Sequence, residues 1–242
     1  MSSRVTRRSP LGFSYRFAVA LLWPLMRTLV AWDIRGTEKL SRQPGGVIVA
    51  TNHMSWFDPL VVAFAVWSAD RPPRFLAKES VFRVPIAGRI ITGAGQIPVY
   101  RETSDASSAI RDALTALDRD ECVVVYPEGT ITKDPDLWPM GAKTGAVRLA
   151  LLSGCPLYPM AHWGAQEVMA PYAKEFRIWP RKAMHVVVGD PIDLSDLADK
   201  PLDAETFHEA GDRLMAAITA LLAAIRDESP PEGRGMGGSD PA

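Results

Sequence analysis

The chain has little of what marks a disulfide scaffold, a nucleic-acid binder or a membrane-spanning protein. Only two of its 242 residues are cysteine. Cys122 abuts the apolar run VVVY and Cys155 lies in SGCPLYPM. Both read as small buried thiols in a reducing compartment, and their spacing fits no metal motif. The formal net charge is only −1, which argues against general nucleic-acid binding. There is no internal repeat and no sign of a second domain. No apolar run is long enough to cross a bilayer comfortably. The best, FAVALLWPLM from Phe17 to Met26, has ten residues between Arg16 and Arg27. As a helix it reaches about 15 Å, half of a roughly 30 Å hydrocarbon core. A small-x-small cleavage site is missing behind it, so a signal peptide is not expected.

The net charge is small, but the charges are unevenly placed. Arg4, Arg7, Arg8, Arg16, Arg27 and Arg35 face a single acid, Asp33, over the first 35 residues. From Asp190 onward twelve acids stand against four Lys and Arg. A basic start beside an apolar run suits an anionic membrane surface. Residues 1–32 therefore read as a basic, apolar helix lying in the membrane interface, with Trp23 and Trp32 as candidate anchors. A helix buried in the core, or a spanning helix from Leu11 to Trp32, are the other readings. The latter puts Pro24 mid-helix and Arg27 in the hydrocarbon.

Beyond that segment, hydrophobic residues at 47% and charged residues at 23% are ordinary for a globular fold. Short β-branched runs at Val47–Thr51, Glu121–Tyr126, Pro156–Ala161 and Met184–Gly189 read as strands, with weaker ones at Phe75–Ala77 and Gly95–Tyr100. Between them lie helical patterns. Asp58-Pro59 followed by LVVAFAVWSA reads as an Asp cap, Pro at the first helical position and a buried helix. Asp105–Asp118 repeats apolar residues at three- and four-residue steps, as does Ala204–Asp227. Strands alternating with helices predict one α/β domain over residues 33–228, with a central, largely parallel or mixed sheet flanked by helices. The Pro/Gly-rich tail 229–242 is expected to be disordered.

Four stretches carry chemistry. In TNHMSWFDP, His53 and Asp58 are five residues apart. At about 100° per residue a regular helix would hold them well apart, so they meet only across a bend. A histidine fixed by a carboxylate is a general base near neutral pH. A loop histidine beside a helix cap is the plainer reading of the same residues. In VVVYPEGTITKD, Gly129 permits close backbone approach, and the Gly129 and Thr130 amides can face an anion. GQIPVYR delivers Arg101 from a strand end, and a guanidinium suits a phosphate. Lys78 follows another candidate strand.

Taken together and in this order, these blocks resemble the glycerolipid acyltransferases typified by bacterial 1-acylglycerol-3-phosphate acyltransferase. That family carries N-H-x-S-x-x-D, a K-x-E-L-F-like patch, G-x-I-x-V-x-R, F-P-E-G-T-R-S and a V-P-V-x-P-like strand. The matching segments are Asn52 to Asp58, Lys78 to Phe82, Gly95 to Arg101, Tyr126 to Thr132 and Cys155 to Pro159. HVVVGDPI, His185 to Ile192, fits the family's late strand. The resemblance covers roughly residues 33 to 195.

It implies acyl transfer from a thioester, acyl-CoA or acyl carrier protein, to the free hydroxyl of 1-acylglycerol 3-phosphate, giving phosphatidic acid. Glycerol 3-phosphate, another lysophospholipid and a glycolipid are alternative acceptors, and a non-catalytic membrane-binding relative is the reading from another class. His53 and Asp58 would be catalytic. Lys78, Arg101, Gly129 and Thr130 would hold the acceptor phosphate, with Asn52, Ser55, Glu128 and Pro159 supporting. No cofactor or metal is implied, the thioester being a co-substrate. The expected partners are the bilayer, the lysophospholipid and the donor, on the cytoplasmic face of a membrane. The family's Arg after Glu-Gly-Thr is Ile131 here, and Lys133 or Lys143 are the candidates to replace its charge.

Overall fold

The computed structural model describes residues 13–100 and 106–231. The described strands form one seven-stranded sheet: β1 (Val30–Arg35), β2 (Val47–Thr51), β3 (Pro73–Lys78), β4 (Ile97–Val99), β5 (Cys122–Val125), β6 (Leu157–Trp163) and β7 (Lys182–Val188). The described α-helices are α1 (Phe13–Leu29), α2 (Glu38–Arg42), α3 (Asp58–Ser68), α4 (Glu79–Phe82), α5 (Ala87–Gly93), α6 (Ala106–Asp118), α7 (Gly145–Ser153), α8 (Ala165–Val168) and α9 (Ala204–Arg226). The sheet order is β1-β7-β6-β2-β5-β3-β4. Strands β6, β2, β5, β3 and β4 run parallel, whereas β7 is antiparallel to β6 and β1 is parallel to β7. The expected α/β domain with a largely parallel, mixed sheet is present.

β2 shows why the sheet has two covered faces. All five of its residues are buried, so it reads as a continuous apolar run rather than an alternation. Val47 and Val49 join a core with Val61, Phe64 and Met26, contributed by α3 and α1. Ile48 and Ala50 join a second core with Ala113, Leu149 and Leu214, contributed by α6, α7 and α9. A period of two in the strand thus splits one apolar run between two helical layers.

Several boundaries differ from expectation. α1 ends at Leu29, and β1 begins at Val30, inside the segment read as helical to residue 32. The strand wins because Val30 to Arg35 pair along β7 from Lys182 to Val187, a partner remote in sequence. α1 has one buried side, with Met26 in the core and Trp23 stacked on Phe64 at 4.1 Å. Its Leu21 and Leu25 are exposed. Trp32 stacks on Phe64 at 4.1 Å and is packed against the core. No helix among the described residues is long and apolar enough to cross a membrane. Cys122 is a buried free thiol, pushed up to about 12 by burial, while Cys155 is only partly buried. Of the tail expected to be disordered, residues beyond 231 lie outside the described residues, as do the first twelve residues with Arg4, Arg7 and Arg8.

Candidate active site

The parallel strands β2, β5, β3 and β4 all end at one edge of the sheet, where an open α/β sheet offers its crevice. The sequence-predicted residues follow those strand ends. Asn52 to Asp58 follow β2, Tyr126 to Thr132 follow β5, and Lys78 closes β3. Arg101, two residues past the end of β4, lies outside the described residues. Pro159 is elsewhere: it is buried within β6, opposite Ala50 of β2, and its carbonyl accepts the Gly189 N–H at 2.8 Å. It shapes the sheet and does not reach the crevice.

The bend after β2 is built by hydrogen bonds that a helix could not make. Asn52 extends the β2–β6 ladder with its side chain: Nδ2 donates to the His162 carbonyl at 3.1 Å and Oδ1 accepts from His162 N at 3.0 Å. Ser55 Oγ accepts from Phe57 N at 3.0 Å and donates to the Met169 carbonyl at 2.6 Å. The chain then enters α3, where Asp58 is the first helical residue and not the cap. Its carboxylate turns back over the bend. Oδ2 accepts from Met54 N at 2.6 Å and Ser55 N at 2.8 Å, and lies 2.7 Å from His53 Nδ1. The bend thus brings His53 and Asp58 together. Nδ1 is engaged and Nε2 remains as the nitrogen for a substrate.

Three further contacts fix His53. Its backbone N–H donates to Glu128 Oε1 at 3.0 Å, and its carbonyl accepts from Thr132 N at 2.7 Å. The ring of Tyr126 stacks on its imidazole at 4.1 Å. Glu128 Oε2 accepts from Met140 N at 3.0 Å, so one carboxyl ties three segments together. Burial pushes Glu128 up to about 8, against those two N–H donors, which favour the ionised form.

His162, at the end of β6, was not among the expected site residues. It is fully buried, with Thr51 Oγ1 3.1 Å from Nδ1 and Asp58 Oδ1 3.0 Å from Nε2. The latter pair is close enough for a strong electrostatic contact but is not in line for a good hydrogen bond. Burial pushes the Asp58 carboxyl up. The neighbouring His162, and after it His53, outweigh burial and hold Asp58 at about 2. The signal for His162 was its position: a polar residue just past PMA, at the crevice end of a strand beside β2.

The cations are less tightly set. Lys78 is exposed at the end of β3, two strands from β2, which is roughly 10 Å at about 4.8 Å per strand. Gly129 adopts a positive φ of 69°, and its N–H closes a turn on the Tyr126 carbonyl at 3.0 Å. A Cβ there would come within 3.0 Å of Lys143 Cδ, so the Lys143 stem lies across this loop. Ile131, at the place of the motif arginine, is buried, and its carbonyl accepts from Tyr172 Oη at 2.7 Å. Lys133 is exposed. Among the described residues no group of three or more His, Cys, Asp or Glu is placed to hold a metal ion.

The Acyltransferase family profile matches residues 32–163, more than half of the chain, from β1 to the end of β6. The chain belongs to the Acyltransferase family. This acyltransferase is similar to the 1-acyl-sn-glycerol-3-phosphate acyltransferase of Bacillus subtilis, 26% identical over 213 residues, 88% of this chain and 96% of the relative. It is also 26% identical over 202 residues to the enzyme of that name from Streptococcus pneumoniae, covering 80% of this chain and 69% of that one. Among solved structures it resembles the 1-acyl-sn-glycerophosphate acyltransferase PlsC from Thermotoga maritima. The TM-score is 0.63 at 18% identity, covering 90% of this chain and 80% of the other, a likeness of fold. The acyltransferase fold and the enzyme class drawn from the motif order are thereby established.

Proposed function

We propose that this acyltransferase moves a fatty acyl group from an acyl thioester to the free hydroxyl of 1-acylglycerol 3-phosphate, giving phosphatidic acid for phospholipid synthesis. The observation that carries the reading is the His53 Nδ1 to Asp58 Oδ2 contact of 2.7 Å, inside a bend held by Asn52, Ser55 and Glu128. The acceptor is taken from the names of the bacterial relatives.

His53 Nε2 removes the hydroxyl proton as that oxygen attacks the thioester carbonyl. The new C–O bond forms and the C–S bond breaks. The proton then passes from His53 to the departing sulfur, so the imidazole is restored. Asp58 presents a buried negative charge to Nδ1 and stabilises the imidazolium that exists between those two transfers. The stacked Tyr126 ring and the Glu128 anchor hold the imidazole in one orientation, which supplies proximity without a covalent acyl-enzyme. The acceptor phosphate is held near the Gly129–Thr130 loop, with Lys78 at the end of β3 and Arg101, which follows β4 in sequence, as the further cations. The donor is acyl-CoA or acyl carrier protein, met from the cytoplasmic side, while the outer face of α1, with Leu21 and Leu25 exposed, rests in the membrane interface.

The test is thiol release by the purified enzyme with both donors against a panel of acceptors: 1-acylglycerol 3-phosphate, glycerol 3-phosphate and a zwitterionic lysophospholipid. Highest kcat/KM is expected for 1-acylglycerol 3-phosphate. His53→Ala should lower kcat by about 10²–10⁴ and leave the melting temperature in place. A variant retaining more than about a tenth of parental turnover removes His53 from the role of base. Preference for another acceptor would replace the acceptor and keep the mechanism.

A further inference from the structure

The crevice edge of the sheet also collects the protein's exposed apolar side chains. Among the described residues twelve large hydrophobic side chains are exposed, and eight of them follow strand ends at this edge. Trp56 is in the bend after β2, three follow β3, Tyr100 follows β4, and Tyr172, Phe176 and Trp179 lie between β6 and β7. Leu152 and Leu202 alone lie outside both this edge and α1. The β6–β7 connection is the strongest part. Trp179 is 86% exposed, Phe176 52% and Tyr172 54%.

These aromatics are not on a loose strap. Tyr172 is tied to the Ile131 carbonyl at 2.7 Å, Phe176 packs edge-on against Phe57 at 5.7 Å, and Arg181 donates to the Val30 carbonyl at 2.7 Å. The connection is pinned to three neighbours while its rings face outward. It is also basic: from residue 169 to 182 there are Lys174, Arg177, Arg181 and Lys182 against Glu175. The opposite edge, where β7 ends, has the reverse sign. Between residues 189 and 205 there are six acids, beginning with Asp190 and Asp193, and one lysine, Lys200. The molecule therefore has a basic, aromatic end around its active site and an acidic end away from it.

We propose that the β6–β7 connection is a second membrane anchor, separate from α1, that seats the active-site edge on an anionic lipid surface with Trp179 and Phe176 at headgroup level. Amphipathic rings interleaved with cations match the bilayer interface, and the acidic end orients away from it. The inference rests on the lipid-acceptor reading above, because an acceptor taken from a leaflet must enter at the edge that faces it.

Flotation of the full chain with vesicles of phosphatidylcholine alone, and with phosphatidylglycerol added, tests this. Trp179→Ala and Lys174→Glu are suitable variants, since both side chains are exposed. Melting curves should match the parent. Trp179→Ala should lower the bound fraction several-fold on both vesicle types. Lys174→Glu should lower it on anionic vesicles only, and high salt should remove that difference. Turnover of a short-chain, water-soluble acceptor should be unchanged in both. Parental flotation by Trp179→Ala overturns the proposal. So does a parent dimer that Trp179→Ala converts to monomer without altering flotation. Failure of the parent to turn over the soluble acceptor would sink the lipid-acceptor reading instead, whatever the flotation shows.

Discussion

Asp58→Asn separates charge from packing at the centre of the site. The carboxylate satisfies three donors with Oδ2: His53 Nδ1, Met54 N and Ser55 N. An asparagine that places its oxygen there keeps all three bonds. Its amide then faces His162 Nε2, and that ring accommodates it by accepting at Nε2 and donating from Nδ1 to Thr51 Oγ1. Shape and tautomer therefore survive, and the negative charge does not. Hydrogen bonds to charged groups are worth about 1.5–3 kcal/mol, so the imidazolium loses that much support, or about 10–150-fold in kcat. Alanine would be a poorer probe. It orphans three buried donors at roughly 1–3 kcal/mol each, an amount comparable with the whole stability of a domain.

The same substitution has a signature in pH. Asp58 is held at about 2, below its ordinary 3.8. A lowered carboxyl stabilises the fold above its unfolded pKa, and that contribution is lost as pH falls from about 4 toward 2. For a fully buried group the shift corresponds to an order of 2 kcal/mol. Urea unfolding at pH 7, 4 and 2.5 should show the parent losing this increment on acidification and Asp58→Asn not losing it. Turnover is measured as thiol release under the same buffers at pH 7. If Asp58→Asn turns over within a factor of three of the parent, with Nδ1 still protonated by NMR, the electrostatic role assigned to Asp58 is wrong.

Other outcomes follow from the same contacts. Glu128→Gln turns one amide N–H₂ against the N–H of either His53 or Met140, so it should cost about 1–3 kcal/mol and lower kcat through a displaced His53. Because the folded carboxyl lies at about 8, above its unfolded value, its contribution is full below about pH 4.5 and is lost as pH rises through 8. Parental stability should fall over that range relative to Glu128→Gln, and a parallel pair of curves refutes the assignment. Lys143→Ala should raise the acceptor KM about tenfold and leave the thioester KM alone, as expected for a cation lying across the Gly129 loop, while Lys133→Ala should do less. Equal effects on both substrates remove Lys143 from the phosphate. Leu21→Ser with Leu25→Ser should reduce vesicle flotation without lowering the melting temperature, since both residues face out from α1. Deleting residues 1–32 is a different experiment, because it cuts β1 and removes the Trp32–Phe64 stack.

The legible parts of this protein are those set by neighbours in sequence. Val47 to Thr51 and Cys122 to Val125 read as strands because β-branched runs bounded by turns have few other uses. The five-residue step lets His53 and Asp58 meet only across a bend, and the two do meet across one. Illegible parts depend on partners far away. Val30 leaves the helical pattern because β7 claims it, and nothing between residues 10 and 32 encodes β7. Asn52 reads as one member of a motif, yet its work is to pair with His162 across the sheet. His162 itself stood one residue past an expected strand end, and only the β6-beside-β2 order places it behind Asp58. The Asp cap was misread for a local reason: a carboxylate at a helix start has N–H donors on both sides, and here the preceding ones hold it.

The Asn52–His162 rung has a consequence for how the enzyme is made. Its two members are 110 residues apart. At 5–20 residues per second a ribosome needs about 6–22 s to pass from one to the other. For most of that interval His53 and Asp58 have already been made, yet the β6 partner of Asn52 has not. Translation therefore finishes most of the chain before the rung that anchors this bend to β6 can form. Truncated products ending before β6 should be chemically silent toward cellular thioesters, which spares the donor pool from futile cleavage by unfinished enzyme.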